Sequence, residues 1–300
     1  MNGEFKIDGI NALSTYGVFI LKGGYAQLLN LPKFKTIEIT EWLDSDGAEA
    51  DLSSPVLDAK SFSIQFGFKE LSMLNSLYDK LSNNAVHTFN FIELGKEYQL
   101  RMTATASLSS LINSGKLTLS FVIDNPAITT ETPYGIGYTR VTQRGNYLDD
   151  IDLSRFGCWI LDGTLQSFKK APQTKENIVI NSKYSAGQTY VGFSHTNENG
   201  QTVNDVYYKC KDVTLRLLIN ARNLTEFWRC YNALFYRLSQ SGVREIKLSD
   251  MNASYDCFYG GSQVSKFEIC KSGTIWCEFD VVLKILNMRP TTPANHRYQN

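Results

Sequence analysis

The sequence predicts an α+β fold, mainly β: two tandem β-sandwich or partly closed barrel domains, each with one packed helix. Three observations predict it. The chain repeats itself between its halves, period-two alternation recurs in both, and aromatic residues reach 12%, with 16 Tyr and 17 Phe, a composition that favours strands. Three hundred residues suit two cores of ordinary size better than one. An apolar fraction of 43% lets each half bury a core.

The repeat begins at Leu13. Residues 13–35 read LSTYGVFILKGGYAQLLNLPKFK and residues 153–175 read LSRFGCWILDGTLQSFKKAPQTK, at a constant offset of 140. Eight of 23 positions are identical: Leu13/Leu153, Ser14/Ser154, Gly17/Gly157, Ile20/Ile160, Leu21/Leu161, Gly23/Gly163, Pro32/Pro172 and Lys35/Lys175. Chance gives about one or two at average residue usage. Internal repeats of this kind point to duplicated units.

The later elements follow in the same order. Lys60–Phe66 (KSFSIQF) and Lys211–Leu217 (KDVTLRL) alternate as half-buried strands do. Leu71, Leu74, Tyr78 and Leu81 form one helical stripe, and Leu224, Phe227, Tyr231 and Leu234 form another with the same steps. Two strand-like runs come next, Val86–Phe91 matching Val243–Leu248 and Leu117–Ile123 matching Ile275–Val281. Ser114-Gly115 and Ser272-Gly273 read as turns into the last strand. One helix cannot cover two sheet faces, so a sandwich or partly closed barrel with the helix against one side is the economical arrangement. The resulting units are 1–126, a Pro- and Gly-containing linker over 127–149, a second copy over 150–288, and an extended tail over 289–300. The copies differ most between Lys35 and Lys60 and between Lys175 and Lys211, 25 residues against 36. Asp44-Ser-Asp-Gly47 and Asn197-Glu-Asn-Gly200 in these segments are hairpin-tip sequences, because Asn, Asp and Gly tolerate positive φ.

Charge and motifs narrow the function. Thirty basic residues balance thirty acidic ones, which argues against nucleic acid as the principal partner. No run reaches the roughly 20 apolar residues of a membrane span, and Glu4, Lys6 and Asp8 interrupt any secretory signal. All six cysteines lie in the second half, none in a Cys-x-x-Cys pair, and read as buried free thiols. The three histidines, His87, His195 and His296, lack metal-ligand spacing, and His87 reads as a strand-surface residue. Asp44 and Asp46 alternate as in calcium loops, but positions six and twelve of such a loop are Glu49 and Pro55, not Gly and Glu. Gly135-Ile-Gly137 lacks the third glycine of a dinucleotide fingerprint. No nucleophile elbow or phosphate loop occurs. The expectation is therefore a protein with no catalytic residues, no metal and no cofactor, not an enzyme. A hydrolase at the domain junction has no motif behind it.

Phe5-Lys-Ile-Asp-Gly-Ile-Asn11, Leu13, Tyr16–Ile20, Glu41–Gly47, Asp51-Leu52 and Pro55–Asp58 resemble the opening of tail proteins of long-tailed phages and prophages, in particular the distal tail component and its tail-tube-like relatives. The duplication is similar to tail hub proteins, which carry two tube-like domains per chain. The resemblance covers roughly residues 5–125 and, more loosely, 151–287. It implies two tail-tube-like domains and a structural protein of a tail tip, distal-tail or hub-like, made in the bacterial cytoplasm and carried in the virion tail. It implies partners: other copies of the chain in a ring, as trimer or hexamer, and neighbouring tail proteins. Neither recognition of a nucleic-acid sequence nor membrane insertion is expected. Trp42, Asp44, Asp46, Val56, Leu57, Tyr190 and Phe193 are the candidate interface residues, on or beside the hairpins. The alternative is a tandem β-sandwich binding module for carbohydrate or a cell-surface ligand, using the hairpin aromatics.

Overall fold

The repeat beginning at Leu13 spells out a capped turn in each half. Asn11 accepts a hydrogen bond from Ser14 N (3.0 Å) and Asp152 accepts one from Ser154 N (2.8 Å), which satisfies first-turn amides. Gly17 (φ 67°) and Gly157 (φ 65°) then close the two turns in the left-handed region, where glycine meets no Cβ penalty.

A computed structural model describes residues 3–41, 46–111, 113–131, 146–161, 190–196, 202–208, 210–248 and 253–287. The fold is α+β, mainly β. In the first half the elements are β1 (Phe5–Ile7), β2 (Ile10–Asn11), α1 (Ala12–Tyr16), β3 (Val18–Ile20), β4 (Ile39–Glu41), β5 (Ala48–Ala50), β6 (Lys60–Phe68), α2 (Leu74–Leu81), β7 (Val86–Phe91), β8 (Lys96–Leu111) and β9 (Ser114–Ile123). In the second half they are β10 (Tyr147–Leu148), β11 (Ile151–Asp152), β12 (Cys158–Ile160), β13 (Tyr190–Thr196), β14 (Thr202–Tyr208), β15 (Lys211–Ala221), α3 (Leu224–Leu238), β16 (Arg244–Leu248), β17 (Ala253–Ile269) and β18 (Ile275–Ile285).

Two seven-stranded antiparallel sheets result. Their orders are β2-β1-β7-β8-β9-β6-β3 and β11-β10-β16-β17-β18-β15-β12, so each strand of one has its counterpart at the same place in the other. The hairpins β4–β5 and β13–β14 form two small ribbons at matching points of the chain. Strand β10 pairs with β16, so the second sheet starts inside the segment expected as linker; residues 132–145 lie outside the described residues. The first sheet curls toward closure: Ile20 N at its far strand donates to Gly3 O just ahead of β1 (2.8 Å). Gly3 has φ +62° and a Cβ there would sit 2.2 Å from Ile20 O, so only glycine fits this seal.

Alternation sets the cores. β18 buries every second residue along its length. In the first half Phe5, Phe66, Phe89 and Phe121 are buried and meet ring to ring, Phe89 and Phe121 edge-on at 5.2 Å.

The structure corrects three local expectations. Ile123 and Ile285 occupy the same register, opposite Lys60 and Lys211, so the counterpart of Leu117 is Phe279, not Ile275. Ser114-Gly115 accordingly lies within β9, while Ser272-Gly273 forms a turn. Leu71 precedes α2 in a 3-10 turn and is 41% exposed; Leu77 takes its place in the buried stripe. The chain turns tightly there and the helix starts three residues later. His87, expected on the strand surface, is buried, for a reason given below.

Candidate interface at the seam between the copies

Each copy locks its helix to its first hairpin through one aspartate. Asp8 and Asp149, both at positive φ (49° and 56°), sit in the β1–β2 and β10–β11 turns. Asp8 N donates to Thr88 O (2.8 Å) and Asp8 Oδ1 accepts from Thr88 N (2.8 Å). Asp149 repeats this with Glu245 at 2.6 and 2.9 Å. The other carboxylate oxygen meets a cation from the last turn of the helix and a second residue from the following strand. In the first copy these are Lys80 Nζ (2.7 Å) and His87 Nδ1 (2.8 Å). In the second they are Arg237 Nε (2.6 Å) and Arg244 (3.2 Å). Partial burial alone would raise the Asp8 carboxyl, but hydrogen bonds from Lys80, His87 and Thr88 outweigh it and hold the group at about 2. His87 is buried because it completes this lock.

The seam between copies is built differently. After β3 the chain leaves the first sheet and runs over the second. Leu31 N donates to Ser262 Oγ (2.7 Å), and Tyr259 OH donates to Leu31 O (3.1 Å). Val264 N donates to Asn30 Oδ1 (2.7 Å). Tyr231 OH donates to Leu29 O. Phe34 meets Tyr259 edge-on at 5.9 Å, and Tyr25 meets Phe267 at 6.4 Å. Gly261 lets the segment in: a Cβ there would lie 2.8 Å from Lys33 Cε. From α3, Trp228 Nε1 donates to Leu94 O (2.9 Å) while Lys96 Nζ sits 5.0 Å from the Trp228 ring.

The β4–β5 ribbon adds a second patch. Ala48 N donates to Leu286 O (2.9 Å) and Gly242 N donates to Leu52 O (2.8 Å). Leu52, Phe258 and Leu286 form a small buried cluster with Ile37, Ile39, Ala48 and Ala50 packed against it. An isolated two-stranded ribbon is marginal in water; here the second half of the same chain supports it. A cleft of about 400 Å³ opens on the seam beside Tyr25, Glu93 and Phe267. On its lining Lys22 pairs with Glu268 at 3.5 Å.

The sequence-predicted interface residues fall as follows. Val56 is 55% exposed. Leu57 is half-buried against the core and bridges to Phe34. Asp46 lies at the mouth of the β4–β5 ribbon. Tyr190 and Phe193 lie on β13, opposite Tyr208 and Asp205 of β14. Trp42 and Asp44 lie outside the described residues. Of the described ones, Asp46 lies on the ribbon that meets the second copy at Leu286, and Leu57 bridges to Phe34, which packs on Tyr259. The residues that make the seam, Asn30, Leu31, Trp228, Tyr231, Tyr259 and Phe267, were not legible as interface. One signal pointed to it: α3 carries Phe227, Trp228, Tyr231 and Phe235 around more than one stripe, which marks a helix buried on two sides.

The expectation of six buried thiols holds for Cys158, Cys230, Cys257 and Cys277, whereas Cys210 is half-buried and Cys270, at the β17–β18 turn, is exposed. Burial raises each of the four buried thiols, Cys230 up to about 12, which makes them poor nucleophiles. Among the described residues, no group of His, Cys, Asp and Glu could hold a metal ion, and no helix is long and apolar enough to cross a membrane.

Among the described residues, Lys60 is the lysine that burial brings down to about 7. Its amine donates to Leu28 O at the root of the seam segment. The unfolded chain binds this proton up to about pH 10, whereas the folded chain releases it near 7. Stability is therefore expected to rise with pH between about 7 and 10. Lys60→Met should lose that rise in denaturant titrations at pH 6 and pH 9; an unchanged slope would place the titration elsewhere.

No protein-family model matches the chain, and no curated protein matches its sequence.

Proposed function

We propose that the chain is a structural component of a phage or prophage tail tip, distal-tail or hub-like, that builds a ring enclosing the DNA passage. The observation that supports this reading is the seam. The two copies are joined head to tail: the segment after β3 and the β4–β5 ribbon of the first copy meet α3 and β17 of the second. The face that gives differs from the face that receives, so the contact is heterologous, and heterologous contacts propagate into rings or filaments. Matching sheets in tandem serve such a role directly. The likeness of the opening residues to distal tail proteins supplies the setting.

The test is the protein content of purified virions or induced prophage particles from the host that carries the gene. The chain is expected at a few copies per particle, at the tip of the tail by immunogold labelling. Its absence from particles, with glycan binding by the free monomer, would instead support the tandem binding module.

A further inference from the structure

We infer that a second copy of this chain docks head to tail along the open edge of β8 in the first half, by main-chain pairing; the inference rests on the ring reading above and names its contact surface.

Equivalent strands of the two copies are unequally covered. Beyond the stretch that pairs with β16 (Ala253–Cys257), β17 runs on to Ile269 with β18 on one side only. Its other edge is where the first copy sits, with Val264 N held by Asn30 Oδ1 and Ser262 Oγ holding Leu31 N. β8 is the same strand of the first copy. It pairs with β7 as far as Arg101 and with β9 up to Leu111. The first bulge matches as well: Met102/Ala104 corresponds to Tyr259/Gly261. From Thr103 onward the outer edge of β8 has no partner among the described residues.

Beyond its two bulges this edge carries none of the features that keep edges single. Thr103–Leu111 reads TATASLSSL, with neither charge nor proline, whereas solitary edges are blunted by Lys, Pro or bulges along their length. The two bulges end at Ser107, and the register onward to Leu111 is regular. Leu108 is 48% exposed.

The occupant follows from the intrachain seam. There the giving face of a first copy meets the receiving face of a second. In one chain this leaves the giving face of the second copy, the side of the β13–β14 ribbon, and the receiving face of the first, the β8 edge. A second chain offers both in complementary order. The new seam would differ in strength. Where β17 presents Tyr259 and Ser262, β8 presents Met102 and Thr105, and the cluster of Phe258 and Leu286 gives way to the ion pair of Arg101 with Asp124 at 2.5 Å. Backbone pairing along small residues would carry the contact. The chain is then a firm two-unit block joined reversibly to the next.

Sedimentation of the chain over a range of concentrations tests this, comparing wild type with Thr105→Lys/Leu108→Lys and with Ser110→Pro, at a residue whose N–H faces away from β9. Wild type is expected to form a concentration-dependent, closed oligomer. Both variants should weaken association at least about tenfold, since edge charges and proline oppose pairing, with circular dichroism and melting unchanged. Association unaltered in folded variants overturns the proposal, and so does a wild type that stays monomeric at about millimolar concentration. The readouts separate the two readings. A chain present in virions whose edge variants still assemble sinks only the edge contact. A chain that assembles through β8 yet is absent from particles sinks only the tail reading.

Discussion

Tyr259→Ala is expected to lower the unfolding free energy by about 3–5 kcal/mol, the range for removing a large buried aromatic. The ring is fully buried, edge-on to Phe34 at 5.9 Å and to Phe235 at 6.2 Å, and so packs at once on the first copy and on α3. Its hydroxyl donates to Leu31 O. Burial holds the phenol far above its ordinary range, so it stays a neutral donor. Tyr259→Phe keeps the ring and leaves Leu31 O without this donor, at a cost of about 1 kcal/mol. Denaturant titration of both variants separates the parts. If the Ala variant loses less than about 1 kcal/mol, the seam is not a packed interface of this kind.

Asp149→Ala should cost about 2–4 kcal/mol, because it leaves the mostly buried Arg244 and the half-buried Arg237 without their shared counter-charge. It also removes the acceptor of Glu245 N and places Ala at φ 56°. Asp8→Ala should cost less, about 1–2 kcal/mol, since its side chain is 31% exposed and water screens the pair. Asp8→Ala also has a pH signature. The folded Asp8 carboxyl lies at about 2, below the unfolded value near 4. Its contribution is therefore present above pH 4 and fades as pH falls toward 2. A stability difference between wild type and Asp8→Ala that stays constant from pH 7 to pH 2.5 would contradict the lock.

The fold was legible where side-chain type is dictated locally. Ser14/Ser154 and Gly17/Gly157 are fixed by a cap and a left-handed turn, so they match without a gap. Asp8 and Asp149 do the same work but escaped the match, because the first turn has one residue more than the second and the offset moves from 141 to 140 between Asn11/Asp152 and Leu13/Leu153. Their partners escaped for another reason. Lys80 against Arg237 and His87 against Arg244 share position and the aspartate they meet, not identity. α3 has 15 residues against 8 in α2; matched from their last turns, Leu77 and Leu81 correspond to Leu234 and Leu238. The last strand slipped by four residues because alternation fits every even shift equally well.

The candidate site was less legible than the fold. The hairpins were visible from their Asn, Asp and Gly tips, and β4–β5 and β13–β14 flank those tips. Which surface they would meet was not visible, since contacts between distant segments leave no local period. The expectation that a hairpin grips a neighbour has its counterpart inside the chain, where β4–β5 leans on Leu286 and Phe258.

The central claim is that the two copies are successive units of one head-to-tail array. Electron-microscopic class averages of the assembled wild-type chain test it most directly. The account predicts a closed ring whose lobes are twice as many as its chains and all face the same way around. Assemblies built about two-fold axes between chains, with like faces in contact, would contradict it.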